Sequence, residues 1–198
     1  SHIPNGANHK VEEYLSDQKI AYLNGMEDQV LIINDALFRL TTIHAIDDFS
    51  SFRKIVLGNN LQEITIDSEL PAIYLGMPLA AKLNIAIGDT VDIAAPKQIN
   101  IFTGLPPKRI MIVGGIYKLQ VLDYDQKHIF TDYSSVRDFL PDNRSVYYLH
   151  KTPGEYFSKD IIKDFPKLYL HTWEDEHQSF ISAMKLEKVI YSVIGFII

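Results

Sequence analysis

The sequence predicts an α+β fold, and three observations carry that expectation. Runs of β-branched and aromatic residues of strand length recur along the chain, interspersed with short stretches of helical period. Glycine, proline and Asx residues separate them at turn-like positions. The two ends of the chain repeat one helix-then-strand order, and 46% hydrophobic residues over 198 positions supply a sizeable core, as one large domain or two small ones.

Residues 9–18 place Val11, Tyr14 and Leu15 on one helical face, and the apolar run 20–23 follows as a strand. Residues 29–45 are rich in apolar and β-branched side chains, broken at Asn34 and Asp35, which predicts a hairpin. An acidic and aromatic loop, 47–52, leads to a further strand at 55–57 and a turn at Gly58, Asn59 and Asn60. A strand over 71–76 closes on Gly76, a helix of about two turns covers 77–83, and Gly88 with Asp89 turns the chain into an alternating strand at 90–94. The β-rich run 109–117 contains Gly114 and Gly115, where a bulge is expected. A strand at 128–131 and a short helix at 133–140 precede a stop at Pro141, Asp142 and Asn143. Strand, helix and strand then follow at 145–150, 155–164 and 167–171.

With one more strand near Ile3, residues 1–25 and 145–172 supply two β-α-β units that pair into a single split lobe. Residues 26–144 become an inserted β-rich lobe, and 173–198 a final helix. That helix has a start signal: Thr172 caps it, Asp175 holds the capping-box position, and Glu174, Asp175 and Glu176 lie at the positive end of its dipole. Lys185 and Lys188 precede an uncharged run from Val189 to Ile198. A bilayer span needs about 20 apolar residues, so this run reads either as half a span or as the buried end of a soluble helix. The two lysines suit a membrane boundary, so 173–198 is expected to be a helix that leads into a truncated transmembrane span. The first six residues have neither a charged lead nor an apolar stretch, so no secretory signal is expected among them.

A net charge of -6, spread without a basic stretch, argues against a nucleic-acid partner. The absence of cysteine removes disulfides, zinc-thiolate sites and a thiol nucleophile together. Nucleophile-elbow, phosphate-loop, metalloprotease and dinucleotide motifs are all missing. Of the seven histidines, His171 and His177 form the tightest pair, yet six positions apart they fall on nearly opposite sides of a helix. Asp123, Tyr124 and Asp125 have the form of paired acid/base carboxylates but read better as an Asx-turn loop. No helix start follows Gly114 and Gly115, so they are not a phosphate cradle. The expectation is therefore no catalytic residue, no metal and no cofactor: not an enzyme.

Residues 96–109, PKQINIFTGLPPKR, are the most informative segment. Lys97, Lys108 and Arg109 are its charged residues, with no acid among them, in a chain that is acidic overall. Prolines, including Pro96 and Pro106, bound it; Gly104 sits near its centre; Ile99, Ile101, Phe102 and Leu105 are displayed along it. Two strands cannot bury such a tip between themselves. It folds back on the domain, stays a crossover loop, or meets a partner.

Further residues carry a resemblance. The segment from Ile73 through Gly76, Leu79 and Ala80 to Leu83, Gly88 and Asp89 resembles the "LG-x-x-LA-x-x-LG-V-x-x-GD" stretch of periplasmic domains in lipoprotein-releasing ABC transporter permeases of the LolC/LolE type. Val113, Gly114, Gly115 and Ile116 are similar to that family's "VVGIF", and Tyr124 with Asp125 to its "YE-YD". Thr172 with Trp173, and Ala183 with Glu187 and Lys188, are similar to its "TW" and "A-x-x-x-EK". The likeness is good over 72–198 and loose before that. It implies a porter-like split lobe, a sabre-like insert, and a protruding hook at 96–109. The hook here is about two residues shorter than the family's best-known form, with Thr103 before Gly104 where a larger apolar residue is usual.

The resemblance implies a four-span permease in the bacterial inner membrane with this domain facing the periplasm, working as a dimer with a second permease subunit and a cytoplasmic ATPase subunit that uses the ATP. The domain would hand lipoprotein cargo to a soluble periplasmic lipoprotein carrier docked on the hook. Ile101, Phe102, Leu105 and Pro106 would make the contact, with Lys97, Lys108 and Arg109 steering an acidic partner face. Macrolide-exporter and cell-division permeases share the general plan, so small-molecule efflux or control of a cell-wall hydrolase stands as the alternative.

Overall fold

The structure, a computed structural model, describes residues 5–65, 67–140, 144–149 and 165. The chain divides into two compact units, Ser1–Pro153 and Gly154–Ile198, and the first holds all described residues except Phe165. The strand expected near Ile3, the helix at 155–164, the strand at 167–171, the helix from Thr172 and the histidines His171 and His177 lie outside the described residues.

Helix α1 (Asn5–Asp17) turns Val11 and Leu15 into the core, as their spacing predicts. Strand β1 (Tyr22–Asn34) is far longer than the apolar run that announced it and turns tightly through Asp35 and Ala36 into β2 (Leu37–Ile46). Asp35 takes the left-handed conformation there, φ 51°, which Asx residues tolerate. The boundary at 25/26 falls within β1, whose first half pairs with β8 (Arg144–Leu149) and whose last residues pair with β5 (Thr90–Ala94).

The sheet closes on itself. β1 pairs with β2, β2 with β7 (His128–Asp132), β7 with β4 (Ala72–Gly76), β4 with β6 (Lys108–Tyr117), β6 with β5, and β5 again with β1. These pairings make a six-stranded ring, parallel at β2–β7 and β4–β6 and antiparallel elsewhere. β3 (Leu61–Glu63) and β8 add to β6 and β1 at the end that β5 does not reach. The expected bulge is present: Ile73 pairs with Val113 and Tyr74 with Gly115, leaving Gly114 as the extra residue.

Both faces of the central strands are buried, which explains why 72–76 reads as a continuous apolar run. Ile73 and Leu75 join one core with Val30, Ile43, Val113 and Leu79, while Tyr74 between them joins a second, aromatic core with Phe49, Phe52, Tyr117 and Phe130. The Tyr117 hydroxyl within it donates to the His128 carbonyl at 2.7 Å, and burial raises its pKa strongly.

Several expectations are corrected, among them the loop at 47–52, which contains a helix. Residues 55–57 are not a strand: α2 (Phe49–Phe52), capped by Asp48 accepting from the Ser51 N–H at 3.0 Å, continues into a π-helical turn over Arg53–Leu57. Helical spacing buries Phe52 and Leu57 together and leaves Ile55 and Val56 outside. Residues 133–140 form a single 3-10 turn, Tyr133–Ser135, followed by further turns, because the Asp132 carboxylate accepts the Ser134 N–H at 2.9 Å and Val136, Phe139 and Leu140 are drawn inward. Helix α3 (Met77–Leu83) begins at Gly76 with Pro78 in its first turn and ends on left-handed Asn84, φ 52°.

Candidate functional site

The ring places the 96–109 segment between two of its strands. β5 ends at Ala94 opposite Lys108, the first residue of β6, so the intervening loop is the connection of an antiparallel pair. Its base is tied by the Ala95 N–H donating to the Pro107 carbonyl at 3.1 Å, and its tip by the Asn100 N–H donating to the Leu105 carbonyl at 3.0 Å. The Asn100 side-chain oxygen accepts from the N–H groups of Phe102 (2.9 Å) and Thr103 (3.3 Å). The Asn100 carbonyl accepts from the Gly104 N–H at 2.8 Å. Gly104 stands at φ 68°, where a Cβ would be strained. Pro96, Pro106 and Pro107 fix φ around this tip.

The hook thus has internal order, yet its apolar residues face outward. Ile101 is 95% exposed, Phe102 98% and Leu105 66%. Ile99 is exposed as well, whereas Pro96 and Pro106 are half-buried. None of the three tip side chains returns to the barrel core, so of the three alternatives the fold-back one does not hold.

The three basic residues do something other than project into solvent. Lys97 pairs with Asp28, a carboxylate buried in β1 that also accepts the Gln29 N–H at 2.7 Å. Lys108 lies 3.4 Å from Asp92 across the β5–β6 pair. Arg109 makes a two-pronged contact with Asp138, at 3.0 and 2.8 Å, donates to the Ser135 carbonyl, and lies over the Phe139 ring at 5.3 Å. Hydrogen bonds from Arg109 hold the Asp138 carboxyl down at about 2. Each cation already faces a carboxylate, so these residues brace the stem of the hook and much of their field is offset. Sequence reasoning missed this because the partners lie at positions 28, 92 and 138.

The brace is testable. Lys97→Met leaves the Asp28 carboxylate buried without its cation. Because Lys97 is itself more than half exposed, water softens the loss. The expected cost is about 1 kcal/mol in urea unfolding, well under the 3–5 kcal/mol of a fully buried pair. Faster amide exchange at Asn100 and Leu105 should accompany it.

The other sequence candidates resolve into structure. Asp123 pairs with Lys127 at 2.7 Å on α4 (Leu122–Lys127), so the expected loop is a short helix. Asp125 accepts the N–H groups of Leu119 (3.1 Å) and Gln120 (3.2 Å); burial raises its pKa and these two bonds oppose the rise. Among the described residues no group of three or more His, Cys, Asp or Glu could hold a metal ion, and no helix is long and apolar enough to cross a membrane. Two features had no sequence forecast. Leu37, Phe38 and Leu40 are exposed at the β1–β2 hairpin tip, where Arg39 folds back to donate to the Phe38 carbonyl at 2.8 Å. Two histidines from different strands also meet in the aromatic core.

No family model matches the chain, and no curated protein matches it. Solved structures are similar to it. One is the extracellular domain of the noncanonic ABC-type transporter YknZ from Gram-positive bacteria, with TM-score 0.46 and 13% identity over 79% of this chain and 75% of that one. Another is a domain assigned to a permease protein of Porphyromonas gingivalis, with TM-score 0.42 and 12% identity over 73% of this chain and 60% of that one. Likenesses of this degree carry no argument about function.

Proposed function

We propose that this chain is the extracytoplasmic domain of an ABC transporter permease of the lipoprotein-releasing type, and that its hook docks a soluble periplasmic lipoprotein carrier. The observation behind this reading is the near-complete exposure of Ile101 and Phe102 at the end of an internally hydrogen-bonded, proline-bounded hairpin. An isolated domain gains nothing from holding a phenyl ring in water on an ordered support; a partner that covers it gains an anchor. The motifs between Ile73 and Asp89 and around Val113 and Tyr124 support the permease part of the reading.

In this role the domain performs no bond chemistry and needs no cofactor of its own. ATP is used by a cytoplasmic subunit, membrane spans on either side anchor the domain at the inner membrane, and a second permease subunit completes the dimer. The hook contacts the carrier through Ile101, Phe102, Leu105 and Pro106, inserted beside a cavity or against a sheet edge. Lys97, Lys108 and Arg109 set the angle of the hook through their internal pairs.

The reading frame tests the permease part. An apolar span of about 20 residues should lie on each side of the domain, and the full-length protein, purified in detergent, should bring an ATPase subunit with it. A frame without flanking spans ends the permease reading. Spans with an ATPase but no carrier binding move it to an efflux or cell-wall-hydrolase permease.

A further inference from the structure

In the aromatic core, three strands meet at one imidazole. His44 of β2 has its Nδ1 2.7 Å from the Tyr148 hydroxyl of β8 and its Nε2 2.6 Å from Nδ1 of His128 in β7. The His44 side chain is buried, and the two rings stack at 4.9 Å. Tyr124 of α4 lies flat on His128 at 4.1 Å, and Phe130 lies 5.3 Å from His44. Among the described residues β8 has a single strand partner, β1, so the Tyr148 hydroxyl is a second tie holding β8 to the sheet. β8 is also the last described strand before the unit boundary at Pro153, so the chain reaches the second unit through it.

The bond between the rings needs one nitrogen with a proton and one without. A neutral pair holds two ring protons on four nitrogens and a singly charged pair holds three, and both can keep the bond. A doubly charged pair sets N–H against N–H and breaks it; like charges then drive the two rings apart, and the His44 ring leaves the Tyr148 hydroxyl with that movement. We propose that His44, His128 and Tyr148 form an acid-released latch, which fastens β8 to the sheet at neutral pH and frees it when both imidazoles are protonated. This rests on the strand geometry and is independent of any role of the hook.

Among the described residues, the groups against the pair include Tyr124 of α4, Phe130 of β7 and Tyr148 of β8, and Glu27 of β1 stands directly across from His44 in the strand register. Burial opposes a charged imidazole at His44. Nearby carboxylates on the same elements are turned to other groups: Asp123 to Lys127, Asp125 to Leu119 and Gln120, and Asp132 to Ser134. Burial, with His128 second, pushes His44 down to about 3. A histidine lowered in the closed state leaves the open state binding more protons at acid pH. The latch is therefore at full strength above about pH 6.5 and weakens as pH falls below it, with the opening equilibrium growing by up to about tenfold per pH unit.

Amide exchange on the intact 198-residue chain, corrected for intrinsic rates, tests this. Protection of Val146, Tyr147 and Tyr148, taken relative to Leu75 in β4, should fall at least about tenfold between pH 7.5 and pH 5.0. Tyr148→Phe should lower that protection already at pH 7.5 and abolish the further loss at pH 5.0. Should Tyr148→Phe not fold, His44→Gln, which removes the buried imidazole and cannot take up a proton, should likewise abolish the loss. A constant ratio in the wild type, or a wild-type fall in either variant, overturns the proposal.

Discussion

Replacing Gly76 with alanine should destabilise the barrel by about 3 kcal/mol, the upper end of the usual cost of overpacking. An ideal Cβ on Gly76 lies 1.9 Å from the Asp125 carbonyl oxygen, 2.6 Å from its carbon and 2.7 Å from its Cα. All three are backbone atoms, so no change of rotamer relieves the overlap. The backbone of Gly76, at φ -69° and ψ 141°, is one that alanine adopts freely, so the penalty comes from contact and not from conformation. Relief requires α4 to move away from the start of α3, which drags the Asp125 carboxylate from the N–H groups of Leu119 and Gln120. Urea unfolding should show a lower midpoint at an unchanged slope. A loss below about 1 kcal/mol would mean that α4 yields without resistance and that the close approach is incidental.

This glycine also marks how far the sequence could be read. The strand, helix, turn and strand from Ala72 to Ala94 are legible because each is locally determined: an apolar run, proline in the first helical turn, Asn84 at its end, Gly88 at the turn. The β1–β2 hairpin is legible for the same reason, through Asn34 and Asp35. Closure of the ring is not, since β5 meets β1 about sixty positions away and β2 meets β7 about ninety away. Local pattern contains no register for such pairs. It also cannot reveal that His44 and His128 meet, because each alone looks like any histidine on a strand.

The hook divides along the same line. Its apolar tip is legible, because two strands have no interior to offer Ile101, Phe102 and Leu105, but the sequence leaves open whether these side chains fold back on the domain or stand in solvent, as they do. The work of Lys97, Lys108 and Arg109 is not legible, because their carboxylates come from β1, β5 and the turns after β7. A basic run read in isolation suggests steering of a partner, whereas the same run with its partners in place is a set of struts. The apolar tip is left as the feature that a partner must recognise.

Phe102→Asp is the second large effect to expect. Phe102 touches almost nothing of its own domain, so the change should leave the thermal midpoint within about 1 °C, as for a surface site away from packing. A buried aromatic anchor at the centre of an interface contributes about 2 kcal/mol or more, so affinity for the carrier should drop by about thirtyfold or further. A carboxylate in an apolar pocket adds a desolvation penalty in the same direction. Leu105→Ala, less exposed and smaller, should cost less.

Calorimetric titration of the purified periplasmic lipoprotein carrier into the intact chain, wild type beside Phe102→Asp, tests the central claim most directly. Saturable binding by the wild type, cut at least about thirtyfold in the equally stable variant, is the result this reading requires. Equal affinities for the two proteins, or no binding by a folded wild type, would contradict it.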